Sequence, residues 1–353
     1  MNKLKSFLKK KDVKISLKRY GIDAMSAMAQ GLFASLLIGT ILNTIGTQFH
    51  IEILNQVGSY AMASAGVAMA FSIGYALKAP PLVLFSLAAV GASANSLGGA
   101  GGPLSVLIIA ILSAEIGKLV SKETKVDIIV TPAVTITFGV ALSILIAPGI
   151  GFVASSIGKA IMWATELQPF LMGMIVALLV GVALTLPISS AAICAALSLT
   201  GLAGGAAVAG CCAQMVGFAV ASFKENKVGG LISQGIGTSM LQMSNIIKNW
   251  KIWIPACVAS IVTGPSATCV FKMKMNGAPI SSGMGTCGLV GPIGVYSGWV
   301  NDIANGLKEQ IGVSDWLGLV LICFVIPAVV AWLVNILLRK INWIKDGEMK
   351  IEL

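Results

Sequence analysis

The sequence predicts an all-α integral membrane protein of about ten transmembrane helices with re-entrant hairpins, and three observations carry that prediction. Hydrophobic residues make up 56% of the 353-residue chain and charged residues only 11%, with a mean hydropathy of +0.91. A soluble domain carries about 25% charged residues because its surface faces water, so most of this surface faces something else, and lipid fits. Charged residues and Pro/Gly clusters cut the chain into apolar windows of about 20 residues, the length that crosses roughly 30 Å of hydrocarbon. The 40 glycines follow no Gly-X-Y period. Among apolar windows they point to close helix approach and broken helices, not to a collagenous or disordered chain.

Taken in order, residues 1–21 hold eight of the 24 basic residues: Lys3, Lys5, Lys9, Lys10, Lys11, Lys14, Lys18 and Arg19. This reads as a cytoplasmic flank drawn to anionic headgroups, so the net charge of +10 implies no nucleic-acid partner. The apolar run from Ile22 to Ile45 exceeds the roughly 7 to 15 residues of a signal-peptide core and is a retained span. Spans are expected at 22–46, 57–77, 79–98, 103–120, 126–147 and 169–186, then a long apolar region at 187–223, read as a short pair. Residues 152–166 are too weakly apolar to cross and are expected in the outer interface.

Residues 224–251 form a polar cytoplasmic connector. Within it, Ile232, Ile236, Met240, Met243 and Ile247 fall near helical spacing, so Gly229 to Asn249 reads as an amphipathic surface helix or, equally, a connecting helix packed on the bundle. The Pro/Gly-broken segment 252–271 is expected to enter and leave on one side. A second broken segment follows at 276–300, and 316–338 is a clean last span. The polytopic domain is therefore 22–338, with a cytoplasmic tail at 339–353. Lys78, the group Lys118, Lys122 and Lys125, the pair Lys224 and Lys227, and Arg339, Lys340 and Lys345 mark cytoplasmic sides. The loops at 47–56, 99–102 and 301–315 hold only Lys308 and face out. Both termini are then cytoplasmic and the number of crossings even.

Chemistry that needs charge at membrane depth is poorly represented. Asp23, Asp127 and Glu166 sit at span ends, Glu115 lies one helical turn before Lys118, and Glu52 shares an outer loop with the sole histidine, His50. The seven cysteines lie in apolar stretches without a C-x-x-C pair and read as packing residues, so no metal site, catalytic residue or cofactor is expected. No Walker loop, H-E-x-x-H or nucleophile with a partner base is present, and the chain is not expected to be an enzyme.

Uncharged hydrogen-bonding side chains instead cluster beside chain breakers. Asn95 precedes Gly98 to Pro103, Thr131 precedes Pro132, Ser189 and Ser190 follow Pro187, Gln214 lies in a small-residue run, and Ser281, Ser282 and Thr286 follow Pro279. These are the expected substrate-binding residues, because a small polar, uncharged solute needs donors, acceptors and freed backbone groups but no counter-charge. Pro187-Ile188-Ser189-Ser190 also recurs as Pro279-Ile280-Ser281-Ser282, each followed by small residues, so each tetrapeptide is expected at a hairpin tip or an unwound helix. A weaker echo pairs Lys125 to Ala133 with Lys251 to Ala256.

The string from Gly277 to Gly291, together with Val126 to Pro132 and the Gly264-Pro265 break, resembles the EIIC-like membrane proteins of the phosphotransferase system, of the perfringolysin regulatory protein type. The likeness covers nearly the whole chain. It implies a sugar-permease fold with re-entrant hairpins around a central site, a homodimer and elevator-like motion, and it points to Thr131, Ser281, Ser282 and Thr286 as site-lining. Sugar-phosphorylating relatives also carry a midplane Glu with a His partner and attached phosphocarrier domains. This sequence shows neither, so phosphorylation is expected only through separate phosphocarrier subunits, if at all. The expected function is a carrier of a small sugar-like solute in the bacterial inner membrane. The alternative is a permease-fold sensor that regulates gene expression through a cytoplasmic regulatory partner.

Overall fold

The computed structural model describes residues 2–14, 16–165 and 167–351; Glu166, expected at a span end, lies outside them. The described residues form helices and connecting turns, with one isolated bridge between Gly201 and Met275. They divide into two compact units, the second starting at Ala154.

In the first unit, α1 (Asn2–Lys10) is followed by α2 (Ala24–Leu32) and α3 (Ile38–Gln48), joined without a break by a π turn at Phe33–Leu37. Next, α4 (Glu52–Ala63) and α5 (Ala65–Ala76) meet at a 49° bend. Helices α6 (Pro81–Gly98) and α7 (Gly102–Val120) each start with a proline in the first turn, where a missing N–H costs nothing. They pack along each other across the tight turn Gly99–Gly101, entered with Gly99 at φ +50°. Helix α8 (Asp127–Thr165), of which residues from Ala154 onward belong to the second unit, has 39 residues and is about 58 Å long. Residues 152–165, expected as a separate interfacial segment, continue it.

The second unit contains α9 (Pro169–Thr185), the short α10 (Ser190–Ala196), α11 (Gly201–Ala221), α12 (Phe223–Ile232), α13 (Met243–Lys248), α14 (Ile254–Pro265), α15 (Val290–Ala304), α16 (Val313–Val320) and α17 (Ile326–Lys340). Helix α11 is buried along almost its whole length and packs against α9, α14 and α17. Gly210 makes the approach to α9 possible, since a Cβ there would strike the Ala177 backbone. Val208, Cys212, Met275, Val295, Trp299 and Ile322 close a core on the other face of α11.

Among the described residues, six stretches are long and apolar enough to cross a membrane: Lys18–Gln48, Pro81–Val120, Asp127–Ile157, Gly201–Ala221, Trp250–Val270 and Val313–Lys340. The bent α4–α5 pair makes a seventh, and α9 is shorter at 17 residues. The 40-residue stretch Pro81–Val120 folds back on itself at Gly99.

Two further expectations differ from this architecture. Trp250–Val270 does not turn back: Pro255 sits in the first turn of α14, Pro265 in its last, and a π turn at Ser266–Val270 carries the helical path onward. The segment that turns back is 276–304. Gly229 to Asn249 is not one amphipathic helix either. Gly235, Gly237 and an extended Thr238 split it into a π turn, a 3-10 turn and α13, and Met240 and Met243 are buried together with Gln234, Gln242 and Asn245. All seven cysteines are free, as a packing role requires; five are buried, and Cys269 is exposed.

Candidate functional site: two broken limbs against one helix

Both copies of the Pro-Ile-Ser-Ser repeat fall where the helical path fails. The first follows α9. Leu186 is extended (ψ 157°), and Ser189 then caps α10 by accepting a hydrogen bond from the Ala192 amide at 3.2 Å. Helix α10 lasts seven residues, and Ser198 (φ +49°) ends it before α11 begins. The second copy follows an extended stretch in which Met275 and Gly201 exchange two backbone hydrogen bonds of 2.9 and 3.0 Å. Pro279–Gly283 is a single 3-10 turn.

The chain then reverses through Gly288 and Leu289, both left-handed, and α15 runs back along it. The register is antiparallel: the Gly291 amide donates to the Gly285 carbonyl at 2.8 Å, Gly294 lies against Ser281, and Gly298 lies against Asn276. The Asn276 amide clasps both Asp302 carboxylate oxygens, at 3.1 and 2.9 Å, at the mouth of this hairpin. Pro279 thus sits on the descending limb. The tip is formed by 285–289, and Gly285 is seated on Cys211 and Cys212 of α11.

The two serine pairs meet. Ser190 Oγ donates to the Gly283 carbonyl at 2.7 Å, and Ser282 Oγ donates to the Leu199 carbonyl at 2.6 Å. Each motif therefore bonds to the unwound backbone that follows the other. Breaking a helix in a water-poor interior frees carbonyls that must find donors, and here the last serine of each repeat supplies one.

Beside this crossing lies a second polar cluster, also uncharged. Gln214, fully buried on α11, accepts from Thr185 Oγ1 at 3.1 Å and from Trp253 Nε1 at 2.8 Å, and donates to Ser260 Oγ at 3.2 Å. Thr185 Oγ1 also lies 2.8 Å from Ser239 Oγ. Four elements are thereby tied to the middle of α11. A buried amide with all these partners is satisfied without charge, and the cluster sits one helical turn from the hairpin tip.

Of the eight residues expected to bind solute, the structure brings Ser189, Ser190, Ser281, Ser282, Thr286 and Gln214 into this region of the second unit. Thr286 is fully buried with its hydroxyl 3.6 Å from the Met215 sulfur. Thr131 and Asn95 belong to the first unit. Thr131 Oγ1 donates to Asp127 Oδ1 at 2.6 Å, and that oxygen also caps the Lys122 amide, so Thr131 secures the start of α8. Asn95 lies against Gly66 and Gly102, where α5, α6 and α7 meet. Ser239, Ser260 and Trp253 escaped the sequence reading, because partners 54 and 46 residues apart, as in Thr185–Ser239 and Gln214–Ser260, leave no local spacing to read. Among the described residues no group of His, Cys, Asp and Glu is placed to hold a metal ion.

A family model described as phosphotransferase system, EIIC, matches residues 22–351, which include both broken limbs and the polar cluster around Gln214. No curated protein and no solved structure matches the chain.

Proposed function

The chain belongs to the phosphotransferase-system EIIC family, and from that membership we propose that it carries a small polar, uncharged, sugar-like solute by alternating access at the crossing of its two broken limbs. The observation that carries this reading is the reciprocal pair of hydroxyl–carbonyl bonds, Ser190 to Gly283 and Ser282 to Leu199. Such bonds are the kind a polyhydroxyl guest exchanges one for one, O–H for O–H, when the limbs part. Their uncharged character favours a neutral solute, since an ion would need a counter-charge that this crossing lacks.

The same reading counts ten crossings. Five come from Lys18–Gln48, α4–α5, α6, α7 and α8; five come from α9, the broken limb 187–200, α11, Trp250–Val270 and Val313–Lys340. Residues 276–304 then form a re-entrant hairpin. It places both termini in the cytoplasm of a bacterium, makes the working unit a homodimer with elevator-type motion, and leaves any phosphorylation to separate phosphocarrier subunits. The decisive experiment is counterflow into proteoliposomes with a panel of sugars, polyols and neutral metabolites. Saturable exchange of at least one compound, altered in Ser190→Ala and Ser282→Ala, is expected. Absence of exchange by folded protein across the panel removes the proposal.

One observation supports a second reading, a sensor that retains the permease fold. The tail 343–351 is seated on the connector by side-chain amides: Gln242 and Asn226 donate to the Met349 carbonyl, Asn245 to Lys350 and Asn249 to Trp343. Gln242 in turn donates to Gln234 at 2.9 Å, so the tail is wired to the interior. Loss of a gene-expression phenotype on disrupting this contact, with flux intact, would favour the sensor.

A further inference from the structure

At the end of α17 the surface passes from apolar to basic within about two helical turns. A cavity of about 540 Å³ opens there between the end of α11, α12 and α17. Its walls are Phe223, Leu231, Trp332 and Ile336, with Phe223 and Trp332 about half exposed, and its rim carries Lys224 and Arg339. The one amide in the wall is already engaged, since Asn335 Nδ2 donates to the Ala221 carbonyl at 2.9 Å. The cavity therefore asks for apolar matter along its length and an anion at one end.

The anion position has an occupant of its own. Asp346, from the tail, accepts from Lys224 Nζ at 2.7 Å and from Arg339 Nη1 at 2.8 Å. Arg339 also pairs with Glu225 at 2.7 Å, and that pair is largely buried, whereas Lys224 and Asp346 are 66% and 69% exposed. Glu225 neutralises one of the two cations. One positive charge remains, over which Asp346 and an incoming anion compete.

We propose that this cavity binds one phospholipid with an anionic headgroup, its acyl chain against Trp332 and Ile336 and its phosphodiester displacing Asp346 from between Lys224 and Arg339. The amphipathic form of the cavity argues for a lipid over a free anion, because an apolar cavity of this volume contributes nothing to the binding of phosphate alone. Displacing Asp346 loosens the tail at 343–351, so lipid occupancy and tail docking oppose each other, and by linkage each weakens the other equally.

Full-length protein in detergent, titrated separately with phosphatidylglycerol and phosphatidylcholine and read by native mass spectrometry, tests this. Phosphatidylglycerol is expected to be retained in preference to phosphatidylcholine. Lys224→Gln should weaken that retention about tenfold, the size of one charge-assisted hydrogen bond, and Asp346→Asn should strengthen it several-fold by removing the competitor. Both side chains are exposed, so both variants keep the fold. Equal retention of the two lipids, or variants that shift retention in the same direction or not at all, overturns the proposal. Displacement of phosphatidylglycerol by millimolar inorganic phosphate would assign recognition to the anion alone and also overturn it. A lipid-free dimer that dissociates on Trp332→Ala would give the cavity to a second copy of the chain, with the same consequence.

Discussion

The largest buried polar cluster of each unit is built in a different way. In the first, charges cluster where helices end: Lys118, 2% exposed, donates to the Asp12 and Leu77 carbonyls at 2.8 and 3.0 Å and pairs with Glu115 at 3.1 Å. Arg19 joins Asp12 at 3.0 Å and the Leu77 carbonyl at 2.7 Å, Tyr20 donates to Glu115 at 3.1 Å, and Lys11 reaches the Ser121 carbonyl. In the second unit the interior cluster around Gln214 and the crossing limbs holds amides, hydroxyls and an indole but no charge. Uncharged groups need only a partner apiece and can lie deep in a span. Charges need a counter-charge as well, and they gather where the chain can supply several ligands at once. Lys11, Asp12 and Arg19 of the basic flank are for this reason bonded to helix ends.

This contrast sets the order of expected effects. Lys118→Met leaves Glu115 and two carbonyls without their cation and should lower stability by about 3–5 kcal/mol, read by denaturant unfolding in detergent; adding Glu115→Leu should restore part of it. If the single variant costs no more than a surface substitution, the cluster is not the anchor described above.

Gln214→Leu removes four hydrogen bonds, the weakest to the Cys257 sulfur, but strands no charge, and should cost about 1–3 kcal/mol in the same measurement. A loss as large as that of Lys118→Met would erase the distinction between the units.

Ser190→Ala or Ser282→Ala each removes one bond of about 1 kcal/mol. Melting should barely shift, while counterflow should change about fivefold if the limbs move during transport. A change in melting without a change in flux would make these serines purely structural.

The smallest effect concerns pH. The Arg19 guanidinium holds the Asp12 carboxyl below its ordinary range, and Lys224 with Arg339 does the same for Asp346. A depressed carboxylate contributes stability above its unfolded value, near pH 4, and loses it as pH falls through the depressed one. Proteolysis of the tail should therefore be flat from pH 8 to about pH 5 and rise only below about pH 4; a rise near neutrality would point to another group.

How much of this was legible in the sequence differs by element. Lys118 and Glu115, one turn apart, were readable as a pair on one helical face. The two Pro-Ile-Ser-Ser copies were readable as breaks, because proline and small residues act on their own backbone wherever they occur. Pro255 and Pro265 misled for the complementary reason: proline breaks a helix according to its place in the turn, and window counting does not see that place. Asn95 and Thr131 share the composition of the limb residues but lie within the continuous helices α6 and α8. Nothing local in the sequence shows that the tail docks, since Asn226 and Met349 lie 123 residues apart.

Composition alone determined that this chain lives in lipid, and apolar windows alone located most of its helices, because transfer of an apolar window from water is a local property summed over about twenty residues. Only the tertiary structure decided which interrupted segment runs straight on and which turns back, and that Ser190 answers Gly283, 93 residues away. The physical reason is that a hydrogen-bond donor has no preference among carbonyls until folding brings one within 3 Å, and the sequence carries no record of that distance.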